Sequence, residues 1–288
     1  MIPRPFVYHA PDSIPAAIAL LRDHGDQAKL LAGGHSLLPM MKLRFAAPEH
    51  LIDLGRIPAL RGITLVGDEV RIGAMTSERE VLASPLLAEH LPLLVETARQ
   101  IADPQVRYKG TIGGDIAHGD PGNDHPAVML ALGASFVLAG QAGERVVPAA
   151  DFFLGTYMTA LEPDEVMTEI RIPKPTAGSG TCYAKLKRKT GDFATAAAAV
   201  VLRMENGICA DVSVALTNVA PMAMRAEASE AALIGRAFDD ATIAEAGRLA
   251  AEACEPAADL RGDEEYKRAM ASQMVQRALR TALSRCTG

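Results

Sequence analysis

The sequence predicts an α+β chain of 288 residues laid out in three consecutive parts. Three observations predict it. Up to about residue 57, short apolar segments alternate with an amphipathic one, as strands and helices do. From residue 58 to 175, hairpin signatures flank a helical run broken by prolines. Beyond Pro173-Lys174-Pro175-Thr176-Ala177-Gly178-Ser179-Gly180, which has the composition of a linker, a β-hairpin leads into helices that run on to about residue 284. The three parts are residues 1–57, 58–175 and 178–288.

Residues 11–25 read as a helix: Asp12 or Ser13 can cap it, Pro15 suits the first turn, and Ile14, Ile18 and Leu21 share a face that ends at Gly25. Lys29 to Ala32 reads as a short buried strand and Leu51 to Leu54 as another. Thr64 to Gly73 has the pattern of a hairpin. Ser77 and Glu80 form a capping box that opens a helical region to about Ala102, interrupted at Pro85 and Pro92. His125 to Leu132 reads as a short helix, and Ser135 to Leu138 and Val166 to Ile172 as strands. In the last part Cys182 to Lys187 and Thr195 to Met204 are strands. Asn206-Gly207 is a type I′ turn signal, and Ile208 to Leu216 returns. Helices follow at about 226–235, 240–254 and 263–284, the last with Tyr266, Met270, Met274, Ala278 and Leu283 near one face.

Composition narrows the function. The net charge of −6 argues against a nucleic-acid partner, and no basic run appears that could grip anionic lipid. Cys182, Cys209, Cys254 and Cys286 are far apart and form no CxxC, so inert thiols in a reducing cytoplasm are expected, and the chain cannot itself hold an iron–sulfur cluster. The start of the chain lacks a signal-peptide core and no stretch reaches the ~18 apolar residues of a membrane span. A soluble cytoplasmic protein is expected, with a peripheral place at the inner face of the membrane as the alternative.

Two double-glycine loops about eighty residues apart carry the functional signal. The first, Ala32-Gly33-Gly34-His35-Ser36, follows the apolar Leu30-Leu31. The second, Thr111-Ile112-Gly113-Gly114-Asp115, precedes His118-Gly119-Asp120-Pro121-Gly122-Asn123-Asp124. Glycine admits positive φ and close approach, and successive backbone N–H groups make a concave anion site. Two such loops suggest a diphosphate held from two sides. No GxGxxG and no GxxxxGK[ST] is present, so the phosphate is expected on loop N–H groups and hydroxyls such as Ser36 and Thr111, without a helix dipole, because Pro39 spoils an immediate long helix. No HExxH or GxSxG occurs. His118, Asp120, Asp124 and His125 read as a polar loop before a helix in preference to a metal cluster, so no metal ligand and no catalytic residue is expected. Lys185, Lys187 and Lys189 alternate onto one strand face, either a solvated edge or an anion contact.

Together these residues resemble the flavin-binding subunits of the molybdenum hydroxylase family. Leu30 to Pro39 is similar to that family's first FAD loop, and Thr111 to Ile116 with Pro121, Asp124 and Pro126 to its second. Glu165 to Pro173 and Tyr183 to Arg188 follow the same pattern, and the likeness runs almost the whole length. Within the family it is greatest for the branch whose partner subunit oxidises carbon monoxide, ahead of those working on xanthine, nicotinate, quinolines or aldehydes. The resemblance implies a vanillyl-alcohol-oxidase (PCMH-type) FAD-binding fold of two α/β subdomains, then a C-terminal antiparallel sheet with helices. It implies that Lys29, Leu30, Leu31, Ala32, Gly33, Gly34, His35 and Ser36, with Thr111, Ile112, Gly113, Gly114 and Asp115, bind FAD. Asn123 and Asp124 would sit in the FAD site and Lys185 near the flavin ring. His35 stands where the family varies. The implied partners are a small subunit with two [2Fe–2S] clusters and a large subunit with a molybdopterin-type molybdenum centre, assembled as a dimer of heterotrimers that delivers electrons to an acceptor such as a quinone. A self-contained FAD oxidase or dehydrogenase of the same fold is the enzyme alternative, and a cofactor-free scaffold the other.

Overall fold

A computed structural model describes residues 2–287 of the chain. The first element group is a three-stranded parallel sheet of Val7–His9, His50–Asp53 and Ala28–Leu31, in that spatial order. The helix Ile14–His24 covers it with Ala17, Ile18 and Leu21. Pro15 lies in its first turn and Gly25 ends it at φ +50°, while Ser13 takes the extended cap backbone without a side-chain cap bond. Ala28–Leu31 departs from the expected buried strand. Ala28 is buried but Lys29 is exposed and Leu30 and Leu31 are half-buried, because only one face of this small sheet lies under the helix.

A five-stranded antiparallel sheet follows, in the order Ile63–Val66, Glu69–Gly73, Val166–Pro173, Ser135–Gly140, Gly143–Pro148. The helices Glu78–Ala83, Pro85–His90 and Pro92–Gln100 each start where the sequence places a start. Ser77 and Glu80 complete the capping box, and Pro85 and Pro92 occupy first turns, where a missing N–H loses no hydrogen bond. The helix Pro104–Lys109, capped by Asp103, and the edge strand Gly143–Pro148 were not expected. That strand shows little apolar alternation because almost all of it is exposed.

The third group is a four-stranded antiparallel sheet, Gly180–Leu186, Ala196–Glu205, Ile208–Thr217 and Met224–Arg225, with the helices Glu227–Leu233, Asp240–Ala253 and Glu264–Arg285. Asn206 and Gly207 take φ +51° and +76°, as a type I′ turn requires. The alanine-rich strand is buried on both faces. Ala196, Ala198 and Val200 join Met274, Ala278 and Leu279 of the last helix, whereas Ala197 and Ala199 join the core around Leu94 and Phe136. The last helix buries Lys267, Ala271, Met274, Val275, Ala278, Leu279 and Ala282; of the expected face Met274 and Ala278 are buried, Met270 and Leu283 pack half-buried beside them, and Tyr266 is exposed. Small residues let helix and sheet approach closely, so its inner face is marked by alanine more than by bulk. Among the described residues no helix is long and apolar enough to cross a membrane.

Gly180 marks the tightest of these contacts: a Cβ there would stand 1.9 Å from the carbonyl oxygen of Ala282. Gly180→Ala should therefore lower stability by about 3 kcal/mol, the upper end of ordinary overpacking. Urea unfolding followed by circular dichroism measures this, and an unchanged midpoint would contradict the contact.

Candidate cofactor-binding site

The two glycine loops meet back to back. Gly33 lies so close to the turn before the second loop that a Cβ would fall 2.5 Å from the Lys109 carbonyl oxygen and 2.7 Å from Gly110 Cα. A Cβ on Gly113 would fall 2.5 Å from Ala74 Cβ, and one on Gly114 would lie 2.8 Å from Thr111 Oγ1 and 3.2 Å from Ala32 Cβ. Of these four, only Gly34 needs positive φ, at +78°. Of the two roles expected of glycine, positive φ is met at Gly34 and close approach at the other three: Gly33 and Gly113 abut backbone, and Gly114 abuts the side chains of Thr111 and Ala32.

No long helix follows the first loop, as Pro39 leads one to expect, but a short one follows each loop. Leu37–Leu43 begins directly after Ser36, and Ile112–His118 begins directly after Thr111, with Gly113 and Gly114 inside its first turn. Pro39 is tolerated because it lies in a first turn. Each helix is only seven residues long.

Hydrogen bonding separates the two loops. In the second, the N–H of Ile112 donates to Thr76 O at 3.0 Å and that of Gly113 to Ala74 O at 2.9 Å. The N–H of Gly114 donates to Thr111 Oγ1 at 3.3 Å and that of Asp115 to Thr111 O at 3.0 Å. In the first, among the described residues, the N–H groups of Gly33, Gly34, His35 and Ser36 meet no protein acceptor, while the carbonyls of Gly34 and Ser36 accept from Leu38 and Met40. The first loop keeps a row of unspent donors, and the second spends its donors holding itself in place.

Gly33, Gly34 and His35 of this row border a cavity of about 890 Å³. Its wall takes in Leu31, Ala32, Gly33, Gly34 and His35 on one side and Thr111 on the other. Lys42, Arg61, Arg79 and Lys109 also line it, against the carboxylates of Asp53 and Glu80, so the fixed charges favour an anion. Arg79 lies over the Tyr108 ring at 5.1 Å, and Arg61 approaches Glu80 at 3.8 Å. Sequence reasoning missed these cations because each belongs to a different segment. The one available signal was the capping box, whose Ser77 and Glu80 form part of the wall.

The remaining expected residues lie elsewhere. Lys29 is exposed on its strand, Leu30 packs against the first core, Ile112 is wholly buried, and Ser36 precedes the first short helix. Asn123 donates its side-chain amide to Asp115 O at 2.9 Å. Asp124 makes no cap bond; its carboxylate accepts from Tyr183 Oη at 2.5 Å and from Lys185 Nζ at 2.7 Å. The Lys185 side chain is 1% exposed and so belongs to a buried ion pair, not to a solvated edge. Lys187 donates to Gln100 O at 3.3 Å.

A second buried pair supports the start of the Ile112–His118 helix. His125 Nε2 lies 2.9 Å from both carboxylate oxygens of Glu78, whose own N–H donates to Gly110 O at 3.0 Å. Burial pushes the His125 pKa down, but the charge and hydrogen bond of Glu78, with Asp115 and Asp124 beyond, outweigh it and raise the pKa to about 9. Burial raises Asp115 to about 7, and its Oδ2 and His125 Nδ1 meet no partner among the described residues.

Residues 4–175 match the FAD-binding domain of molybdopterin dehydrogenases, and residues 181–282 match the C-terminal domain of the carbon monoxide dehydrogenase flavoprotein. The chain belongs to this family of FAD-binding molybdopterin dehydrogenase subunits. It is 60% identical to a carbon monoxide dehydrogenase medium chain of Hydrogenophaga pseudoflava, over 99% of this chain and 100% of the relative. It is 52% identical to the one from Afipia carboxidovorans, over 99% of each. A solved carbon monoxide dehydrogenase from H. pseudoflava, described as lacking the molybdenum–pyranopterin moiety of its cofactor, superposes with a TM-score of 0.99 over 100% of both chains, at 62% identity. A 6-hydroxypseudooxynicotine dehydrogenase subunit of Paenarthrobacter nicotinovorans is 34% identical over 99% of this chain and 97% of its own. The fold of this FAD-binding family is the one the resemblance implied, and the cavity suits its cofactor: it has the size of a ligand site, a positive lining and a row of free backbone donors.

The buried His125–Glu78 pair sets a pH dependence. A histidine raised from 6.5 to about 9 on folding stabilises fully below pH 6.5 and loses that contribution as pH rises through about 9. Asp115, raised from 3.8 to about 7, loses its contribution below that upper range. Unfolding free energy should therefore fall from pH 7 to pH 9, and His125→Gln should remove most of that slope. Urea titrations at stepped pH decide it, and the same slope in both proteins would overturn the assignment.

Proposed function

We propose that this chain is the FAD-carrying electron-transfer subunit of an aerobic, copper- and molybdenum-containing carbon monoxide dehydrogenase. The observation that carries the reading is the full-length identity of 60% and 52% to carbon monoxide dehydrogenase medium chains, against 34% to a family member acting on an alkaloid. The medium-chain relationship implies a large and a small companion chain. The large chain would hold the molybdenum centre and the small one two [2Fe–2S] clusters, in a dimer of heterotrimers. Carbon monoxide and water give carbon dioxide, two protons and two electrons. The clusters would hand these electrons to the FAD site of this chain, from which an acceptor such as a quinone would take them. When bound, FAD collects electrons singly and releases them in pairs.

The chain's own residues bind, orient and insulate. Gly33, Gly34, His35 and Ser36 offer backbone N–H donors to the diphosphate, and Lys42, Arg61, Arg79 and Lys109 neutralise it. Ile112, Gly113, Gly114 and Asp115 act mainly as the wall that fixes the first loop, because their N–H groups are already bonded, and Thr111 faces the cavity. Asn123 ties that wall to the segment carrying Asp124. Lys185 is the proposed cation on the flavin-ring side. Its pairing with Asp124 at 2.7 Å neutralises much of its charge, so it acts as an oriented donor more than as a free positive field. The rigid double contact of Asp124 with Tyr183 and Lys185 supplies that orientation.

Anaerobic addition of carbon monoxide to the purified intact complex should bleach the flavin absorbance, and metal analysis should find copper with the molybdenum. Bleaching by xanthine, nicotinate or an aldehyde, with none by carbon monoxide, would reassign the substrate while leaving the FAD role intact. A complex that releases no flavin on denaturation would contradict the FAD role itself.

A further inference from the structure

Three histidines from separate segments converge on the first sheet, outside the cavity wall. His9 ends the strand Val7–His9, His24 ends the helix Ile14–His24, and His50 begins the strand His50–Asp53. His9 Nε2 and His50 Nδ1 are 3.0 Å apart, and the His24 ring stacks on His50 with centroids 3.6 Å apart and planes 8° apart. One ring nitrogen from each residue lies within 4.8 Å of the other two. All three are half-buried, so a small ion can reach them from solvent.

We propose that His9, His24 and His50 form a binding site for a single late first-row divalent cation, with zinc, nickel and copper(II) as the class, and with water completing the coordination. Imidazole nitrogen suits these ions, whereas magnesium and calcium require oxygen ligands, which this triad does not offer. Zinc–nitrogen bonds of about 2.0–2.1 Å put two ligands of one tetrahedral ion about 3.4 Å apart. The His9–His50 pair is already inside that separation, and no pair is more than 4.8 Å apart, so closure requires at most about 1.4 Å.

Two stacked rings cannot aim their lone pairs at one ion, so His24 must turn about its Cβ–Cγ bond. That torsion is broad and soft. A neutral imidazole has one lone-pair nitrogen, so three neutral histidines supply three ligands once the His9–His50 hydrogen bond yields and one of the two changes tautomer. The ion would cross-link the end of a helix to two parallel strands. The strand His50–Asp53 continues to Asp53 at the cavity, so the cross-link braces the layer that carries the first glycine loop.

The test uses the full-length chain with zinc chloride, and magnesium chloride as control. Titration calorimetry should show one zinc per chain, and zinc but not magnesium should raise the thermal unfolding midpoint, as binding to the folded state alone requires. His24→Gln and, separately, His50→Gln should each weaken zinc binding by about tenfold or more, with FAD content unchanged. Cobalt(II) should give visible bands with the parent chain and lose them in both variants. His24→Gln ends a surface helix and keeps the test open if His50→Gln fails to fold. Equal zinc affinity in the parent chain and His24→Gln, or a midpoint that zinc does not move, would overturn the proposal.

Discussion

Gly33 has no side chain because the carbonyl oxygen of Lys109 stands 2.5 Å from the place a Cβ would take. This contact joins a loop of the parallel sheet to a turn of the antiparallel part. Gly114 against Ala32 extends the same seam, and Gly113 against Ala74 seats the second loop on its own sheet. The cavity opens beside this seam, and among the described residues the N–H groups of residues 33–36 meet no protein acceptor and stay free to serve a ligand. The second loop provides the opposite: its N–H groups are bonded to Thr76, Ala74 and Thr111, which makes it a fixed wall.

Below that wall the fold buries charge in pairs. Glu78 with His125 and Asp124 with Lys185 are almost fully enclosed. Buried ion pairs add little net stability, but removing one partner is costly, so they specify arrangement more than they strengthen it. Here the arrangement matters. Glu78 also accompanies Gly110, which abuts Gly33, and Asp124 begins the helix packed beneath Ile112–His118. The pairs hold the wall's supports in register without supplying a mobile charge to the cavity.

Much of this was legible in the residues. Ser77 with Glu80, Pro85, Pro92 and Asn206-Gly207 announce element boundaries through local chemistry, and the structure places each boundary accordingly. The glycine loops were found, and close approach was among the reasons given for them, but the protein segments that Gly33 and Gly113 approach are distant in sequence and were not foreseen. The same distance hid Lys42, Arg61, Arg79 and Lys109, which converge only after folding. It also hid the partnership of Lys185, whose strand alternation suits a solvated edge as well as a buried pair. The edge strand Gly143–Pro148 was missed because its exposed face carries no apolar alternation.

The central claim is a division of labour: free donors on the first loop, spent donors on the second. Amide hydrogen exchange of the full-length chain, with FAD bound and after its removal, tests this most directly. Residues 33–36 should exchange much more slowly with FAD bound, while residues 112–115 should be slow in both states. New protection confined to residues 112–115, with residues 33–36 unchanged, would contradict the account.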